Sequence, residues 1–243
     1  MKKVLISAAL CSAFCVSNAS AAMILGFGAE ADYYHPEVSG HFNYDGDMKT
    51  TTDFGSQKKG TYQIGAYFEH PVPFVPNVRI DYTPMKFDGT SSIVSAKGVS
   101  GFAAGTAKND IKLNALDVTP YYEILDNVVS LDLGLTIRSI SASIDTTQGG
   151  LKHSDSATFA LPMAYVAAEA KLPFTGLKAN ADLKYLGFGN SNYMDAKAKL
   201  TYDVMKGLGV EAGYRYQKLK LDKFDVDADV TFKGPFVGLN YNF

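Results

Sequence analysis

Several residue types and patterns are scarce in this chain of 243 residues, and each scarcity excludes a class of protein. The only two cysteines, Cys11 and Cys15, lie in an N-terminal segment that we expect to be removed, which leaves no thiol for a disulfide, a zinc site or a nucleophile. Beyond that segment there is no apolar run of about 18 residues, so no membrane-spanning helix is expected. Basic residues are not in excess, with 23 Lys and Arg against 25 Asp and Glu, so no nucleic-acid partner is expected.

The first residues have the pattern of a secretory signal peptide. Lys2 and Lys3 give a positive start, residues 4–16 form an apolar run, and residues 19–21 are the small residues of a cleavage site. The run is shorter than the roughly 20 residues that a spanning helix needs. We therefore expect residues 1–21 to be cleaved and residues 22–243 to form the mature protein, with 21 basic and 25 acidic side chains.

Apolar and polar residues alternate along most of the mature chain. In residues 129–138 the odd positions are apolar, whereas the even positions are polar, charged or glycine. This period of two predicts strands with one apolar and one polar face. The pattern predicts ten strands, near 22–34, 61–70, 77–85, 110–123, 128–140, 157–172, 177–189, 193–205, 209–221 and 229–243.

The connections between these strands differ in length. External loops are predicted near 35–60, 86–109 and 141–156, the first two long and the third of intermediate length, whereas the other connections are short turns. An even number of strands with short turns at one end and longer loops at the other is typical of an outer-membrane barrel. The sequence therefore predicts an all-β, closed antiparallel transmembrane β-barrel with ten strands, or eight as the alternative, and with both termini periplasmic.

Alternation alone leaves open which face of the barrel points outward. A soluble barrel of the lipocalin kind has the same period with its apolar residues inside, and it is the alternative fold. Three features favour lipid on the apolar side: glycines share the polar face with charges, aromatic residues gather near strand ends, and mid-strand apolar positions are mostly Ala, Val, Leu and Ile. In strand 157–172 we expect Ala164 and Val166 to point outward, and Glu169 and Lys171 inward.

The polar face would then line the lumen with ionisable residues. Buried charges are tolerated when they are paired, so salt-bridge networks are predicted across the lumen. Ten strands enclose little more space than eight, so a wide pore is not expected, while a narrow wet path stays open. A bulge is predicted near 114–116, where the apolar residues change parity. The candidate lumen charges are Glu30, Asp32, Asp132, Arg138, Lys184 and Arg215.

The chain ends on GPFVGLNYNF, which places Phe243, Tyr241 and Leu239 on one apolar parity. With the signal peptide and the strand rhythm, this ending resembles the small outer-membrane β-barrel proteins of Gram-negative bacteria, and the resemblance covers essentially the whole mature chain. It implies that these three residues form the assembly signal read by periplasmic chaperones and the barrel-assembly machinery. It also implies a monomer in the outer membrane, in contact with its lipid and lipopolysaccharide.

Two stretches contain residue types that are used in catalysis or metal binding. A barrel lipid-A deacylase pairs a His and a Ser two residues apart on one strand face, whereas His153 has Ser154 and Ser156 one and three residues away. An omptin-type protease needs facing Asp and His pairs above a groove, which His41 could form only through proximity to acidic residues such as Asp45. Residues 44–47 lack the closing Glu of a calcium loop.

No cofactor, metal or catalytic residue is therefore expected. The sequence predicts a non-enzymatic integral outer-membrane barrel with a structural or surface-interaction role. The alternatives are a narrow channel for small solutes and a surface hydrolase that acts on lipid A or peptides.

Overall fold

The fold was analysed in a computed structural model that describes residues 25–45, 48–96, 103–223 and 226–243, so the predicted signal peptide lies outside the described residues. Within these ranges the regular structure is β-strand, and no helix is long and apolar enough to cross a membrane. The strands are β1 (Gly26–Tyr34), β2 (Glu37–Asp45), β3 (Met48–Lys58), β4 (Thr61–Glu69), β5 (Asn77–Ala96), β6 (Gly105–Asp126), β7 (Val129–Gln148), β8 (Leu151–Leu172), β9 (Leu177–Phe188), β10 (Ser191–Met205), β11 (Leu208–Lys223) and β12 (Val226–Asn242).

These twelve segments form ten barrel strands, because two barrel strands are interrupted. Residues 236–242 of β12 pair with β1, whereas residues 226–233 pair with β2, so β1 and β2 form one strand broken at His35 and Pro36. Pro36 has no N–H to donate to a ladder, which explains the break. In the same way β3 and β4 both pair with β5. The β1–β12 ladder closes the sheet, which confirms a ten-stranded antiparallel barrel and makes the eight-stranded alternative wrong.

Most residues of the predicted loops continue as strands. The segments 37–45, 48–58, 86–96, 105–109, 141–148 and 151–156 all belong to β-ladders, while residues 46–47 and 97–102 lie outside the described residues. The β7–β8 connection is a two-residue turn at Gly149 and Gly150, both with positive φ, which suits a tight hairpin. The two barrel ends therefore differ in how far the strands extend, and much less in the length of their connections.

We call the barrel end that carries Gly26 and Phe243 the terminal end, and the opposite one the far end. Near the terminal end the apolar parity points outward, as predicted: Ala164 and Ala168 are exposed, while Tyr165 and Ala167 between them are buried. Lipid-facing strands alternate in this way.

Toward the far end the apolar residues change to the inward face without a change in register. In β6 the odd residues from Tyr121 to Ala107 are buried, except that Leu113 is half-buried, and the ladder with β5 is continuous from Tyr121 to Gly105. The prediction of a bulge near 114–116 is therefore wrong. The single register shift between β6 and β7 lies between Glu123 and Leu125. The parity change marks the level where the outer side passes from lipid to water and the lumen becomes apolar.

Candidate functional site in the barrel interior

The centre of the barrel is occupied by Arg138 of β7, which is fully buried. Its Nε and Nη2 donate to Asp117 Oδ1 and Oδ2 at 2.7 and 2.6 Å, and Nη2 also donates to Asp195 Oδ2 at 2.5 Å. Lys184 Nζ donates to Asp117 Oδ2 at 2.7 Å and to Asp81 Oδ2 at 2.9 Å. These bonds join β5, β6, β7, β9 and β10 across the lumen. The two hydrogen bonds from Arg138 to Asp117 form a bidentate fork, which fixes both the distance and the relative orientation of the two side chains.

A second arginine, Arg215 of β11, completes this level. It donates from Nε and Nη2 to the two oxygens of Asp195 at 3.0 and 2.7 Å. Its Nη1 donates to Gln63 Oε1 and Thr83 Oγ1 at 2.9 and 3.0 Å. Asp195 thus receives hydrogen bonds from two arginines, and neutral side chains satisfy the remaining guanidinium donor.

Glu30 of β1 is the hub on the terminal-end side of the same network. It accepts hydrogen bonds from Arg79, Lys199 and, at 3.2 Å, Lys197. Lys199 also donates to Glu211 Oε2 at 3.0 Å. With every group counted as ionised, the ion-pair layer holds six cations and six carboxylates, so its formal charge is zero. Its members are Arg79, Arg138, Lys184, Lys197, Lys199, Arg215, Glu30, Asp32, Asp81, Asp117, Asp195 and Glu211.

The structure brings five of the six candidate lumen charges into this layer. Asp32 accepts a hydrogen bond from Gln63 Nε2 at 2.7 Å and lies directly opposite Gly238 of β12. A Cβ on Gly238 would lie 2.0 Å from Asp32 Oδ1, so a side chain there would displace the carboxylate. The sixth charge, Asp132, lies outside the layer, where it faces Glu123 across the β6–β7 ladder.

Asp132 lines a cavity of about 340 Å³ between the ion-pair layer and the terminal end. Three tyrosines form part of its wall, and two of them are held by hydrogen bonds: Tyr67 donates to Asn242 Oδ1 at 2.6 Å and Tyr121 to Glu69 Oε1 at 2.8 Å. Other charged side chains in the wall are Glu123, Glu169, Lys171, Lys178 and Asp182, and Phe27 and Phe243 line its edge at the barrel end. The cavity can hold water and small polar solutes.

The far side of the ion-pair layer is closed by apolar side chains. One cluster contains Phe87 and Phe232, whose ring centroids lie 5.4 Å apart, and a second contains Met163 and Tyr193. The guanidinium of Arg138 lies 5.0 Å from the centroid of the Tyr193 ring, so a cation–π contact joins the ion-pair layer to the apolar side chains. The apolar layer consists of Val38, Phe54, Met85, Phe87, Ile111, Ala228, Val230, Phe232, Ile140, Met163 and Tyr193.

Sequence reasoning missed the apolar layer, although a signal for it was present. The inward parity of β5 passes through Asp81 and continues to Met85 and Phe87. The polar face predicted for residues 129–138 includes Thr136, and the structure places its hydroxyl oxygen in the buried interior, 2.8 Å from that of Thr119.

The histidines considered for catalysis do not form a nucleophilic site in the described residues. His153 Nε2 lies 3.0 Å from Asp155 Oδ2, but Ser154 between them points to the other face of β8 and donates to Asp145 Oδ1 at 2.6 Å. His41 Nε2 lies 3.5 Å from Asp227 Oδ2 in an exposed pair. The side chain of Asp45 lies outside the described residues. No group of three or more potential metal ligands occurs in the part of the chain that the structure describes.

The outer wall of the far-end sheet is polar. Ser56 Oγ donates to Glu37 Oε1 at 2.6 Å, and this hydrogen bond lowers the pKa of the Glu37 carboxyl. The hydrogen bond from Ser154 likewise lowers the pKa of Asp145. Both carboxylates are therefore stabilised in the charged form on a surface that faces water.

Below this polar wall an apolar belt surrounds the barrel. An exposed apolar band around a barrel is found where lipid covers the protein. The end of the chain contributes four of its members on one face, Val237, Leu239, Tyr241 and Phe243, and the backbone N–H of Phe243 donates to Phe27 O at 2.8 Å. Exposed members of the belt include Phe27, Tyr33, Tyr62, Ile64, Ile80, Leu116, Val118, Tyr122, Val129, Leu133, Leu135, Ile137, Tyr185, Leu200, Tyr202, Val210, Tyr214, Val237, Leu239 and Tyr241.

Comparison with solved structures agrees with this architecture. The outer membrane protease OmpT from Escherichia coli superposes with a TM-score of 0.59 at 10% identity, covering 93% of this chain and 100% of that chain. The fold is that of an outer-membrane β-barrel. Neisserial surface protein A (18% identity, 89% and 97% coverage, TM-score 0.42) and Ail of Yersinia pestis (13%, 89% and 99%, 0.39) are more distant and support no further inference.

Comparison with protein-family models covers a smaller part of the chain. Residues 179–243 match the family model described as YfaZ precursor. No curated protein sequence gives a significant match. The belt and the fold locate the protein in the outer membrane, as the sequence predicted.

Proposed function

We propose that the protein is a non-enzymatic and non-conducting outer-membrane barrel that presents its far-end sheet to partners outside the cell. In this proposal the terminal end faces the periplasm, lipid and lipopolysaccharide surround the monomer, and the barrel-assembly machinery recognises the strand that ends in Phe243. The observation that carries the proposal is the closed interior.

Two successive layers close the lumen. Water in a continuous pore would leave the lining side chains partly exposed. Arg138, Thr119 and Thr136 in the middle of the barrel are 0% exposed, and so are Met163 and Val38 beyond them. Ion pairs fill the first level and close-packed apolar side chains fill the second, which favours a closed lumen over the channel alternative for the part of the barrel that the structure describes.

The far-end sheet offers a surface for interaction. From Leu151 to Met163, β8 pairs with β7 on one side, whereas its ladder to β9 begins only at Ala164. Among the described residues, this edge of β8 has no neighbouring strand. Pro162 lies two residues before Ala164, where the β9 ladder begins. Proline has no backbone N–H to donate to a neighbouring strand. Unpaired backbone groups on an edge can bind an extended segment of another protein.

The hydrolase alternative has less support. OmpT is named as a protease, but at 10% identity its similarity extends to the fold alone. Ser154 lies on the opposite face of β8 from His153 and Asp155 and donates to Asp145, and the His41 pair is exposed on the outer wall. Peptide and lipid A turnover by the wild type should match that of the His41→Ala and His153→Ala variants.

Conductance in planar bilayers tests the closed interior. The purified barrel should give no stepwise current, whereas a 16-stranded porin in the same bilayer supplies the positive control. Reproducible current steps that disappear after the protein is unfolded by heat would contradict the proposal.

Epitope insertion tests the orientation. A tag between Gly149 and Gly150 at the far end should bind antibody on intact cells. The matched tag between Lys206 and Gly207 at the terminal end should bind only after the outer membrane is permeabilised. The reverse result would place the far-end sheet in the periplasm.

A further inference from the structure

The cavity at the terminal end is large enough to hold a small molecule. Its volume is about 340 Å³, and small-molecule sites in proteins have volumes of about 300–1,000 Å³. Glu30, Arg79 and Lys199 of the ion-pair layer line one end of the cavity, and Phe27 and Phe243 line the other. Because the cavity lies at the opposite end from the far-end sheet, a ligand bound here is a second partner beyond those of the proposed function.

Glycines that face tyrosines across the β-ladders leave room for this cavity. Gly134 of β7 pairs with Tyr121 of β6 on one side and with Tyr165 of β8 on the other. The ring centroids of these two tyrosines lie 6.2 Å apart in an edge contact. Gly28 of β1 pairs with Tyr67 of β4, and a Cβ on Gly28 would lie 2.1 Å from the Tyr67 ring. Aromatic rings therefore form part of the cavity wall, packed against positions that have no side chain.

Tyr165 brings to this wall a hydroxyl that no protein group satisfies. The residue is 7% exposed and lines the cavity. The hydroxyls of Tyr67 and Tyr121 donate to Asn242 and Glu69, whereas Tyr165 Oη makes no hydrogen bond among the described residues. A buried polar group without a partner is costly. The partner of this hydroxyl is therefore a polar occupant of the cavity.

Four carboxylates lie together on one side of the cavity. Glu123 and Asp132 face each other across the β6–β7 ladder, and Glu169 of β8 pairs with Ser130, two residues from Asp132 along β7. Like charges directly opposite each other destabilise a sheet. In the part of the chain that the structure describes, no member of this group is in an ion pair. The four are Glu69, Glu123, Asp132 and Glu169.

The lysines of the same wall are paired with other carboxylates. Each has an ion-pair partner outside the group of four, at a distance between nitrogen and oxygen of 4.0 Å or less. The negative charge of the four carboxylates is therefore not cancelled by an ion pair within the wall. The pairs are Lys171 with Asp126, Lys178 with Asp203, and Lys197 and Lys199 with Glu30.

The spread of these carboxylates determines which cation fits. They lie on β4, β6, β7 and β8, and no three potential metal ligands come together in the described residues. A divalent metal ion needs several oxygen ligands at roughly 2.0–2.6 Å, which separate carboxylates do not supply. Ammonium groups on a flexible chain can each reach a different carboxylate. Ammonium groups are also attracted to the faces of aromatic rings such as those in this wall.

We infer that the terminal-end cavity binds an aliphatic polyamine, a short chain that carries two or more ammonium groups. The ammonium groups pair with carboxylates of the group of four, which include Glu123 and Asp132. One ammonium group donates to Tyr165 Oη, and the methylene groups pack against the tyrosine rings. Because the ion-pair layer closes the other side, the ligand enters and leaves through the terminal end.

Calorimetric titration of the mature barrel in a non-ionic detergent tests this inference, with cadaverine as the probe. Pentanediol, which has the same carbon chain without charge, and glutarate, which has the opposite charge, are the control ligands. Asp132→Asn and Tyr165→Phe are the cavity variants. Asp155→Asn is the matched control, because it removes an exposed carboxylate on the far-end sheet. Heat-modifiable gel mobility shows that each variant is folded.

The expected result is saturable binding of cadaverine by the wild type and by Asp155→Asn, and no binding of pentanediol or glutarate. Each cavity variant should bind cadaverine about tenfold more weakly, because it loses one hydrogen bond that involves a charged group. The inference is overturned if cadaverine does not bind saturably, or if either cavity variant binds it as the wild type does. Displacement of cadaverine by an equal concentration of Mg²⁺ would also overturn it, in favour of a metal site.

Discussion

The ion-pair layer makes a quantitative prediction for Asp195→Asn. Asp195 accepts three hydrogen bonds from Arg138 and Arg215, and it is 3% exposed. Among the described residues, Asp195 is the only carboxylate in an ion pair with Arg215, whereas Arg138 keeps its fork to Asp117 after the substitution. Removing one member of a buried ion pair costs about 3–5 kcal/mol, and the loss of partners to two arginines places this variant toward the upper end.

Asp132→Asn is the matched control, because it is the same chemical change at another position on the lumen wall. Asp132 has no basic partner among the described ion pairs and lies opposite Glu123, so neutralising it removes a like-charge contact. Such contacts cost about 0.2–1 kcal/mol, and the control should therefore be neutral or slightly stabilising. The difference between the two variants measures the effect of the network rather than the effect of an amide in the lumen.

Urea unfolding in phosphatidylcholine vesicles, followed by far-ultraviolet circular dichroism and gel mobility, gives the free energy of unfolding. Adding Arg215→Met to Asp195→Asn removes the guanidinium that has lost its carboxylate, so the double variant should recover about 1–3 kcal/mol of coupling energy. If Asp195→Asn lost less than about 1 kcal/mol, the argument that buried ion pairs support this barrel would be refuted. Equal losses in Asp195→Asn and Asp132→Asn would refute it as well.

Three further variants test other parts of the structure. Phe174, in the turn between β8 and β9, has φ 64°, which is left-handed backbone. Phe174→Asn should stabilise the detergent-solubilised barrel by about 1 kcal/mol in urea unfolding, because asparagine tolerates this conformation; a loss of stability would argue against strain. Gly28→Ala should lower the folded fraction in refolding assays, since a Cβ would lie 2.1 Å from the Tyr67 ring, and unchanged folding would contradict the close packing. Deletion of Phe243 should lower outer-membrane levels more than the unfolding free energy of the assembled protein, and normal levels would rule out its role as an assembly signal.

The far-end half of the barrel shows why part of the fold could not be predicted from the sequence. In β7 the outward residues are apolar up to Ile137 and then become Ser139, Ser141 and Ser143, while Ile140 and Ile144 face inward. The period of two continues, but the apolar face changes side where the environment of the wall changes. A sequence pattern records which residues are apolar and leaves unstated which surface they cover. The predicted strand ends and the predicted bulge therefore fall at positions where the strands of the structure continue.

The sequence by itself determined the class of fold, the outward face of the lipid-spanning part and the residues of the last strand. These features follow from local alternation, because each strand meets lipid on one side and the lumen on the other. Only the tertiary structure decided that Arg138 meets Asp117 and Asp195, that Asp132 stays outside the network, and that apolar side chains close the far side. These contacts join residues on strands that are distant in sequence, and they depend on the register of ten strands around a closed sheet.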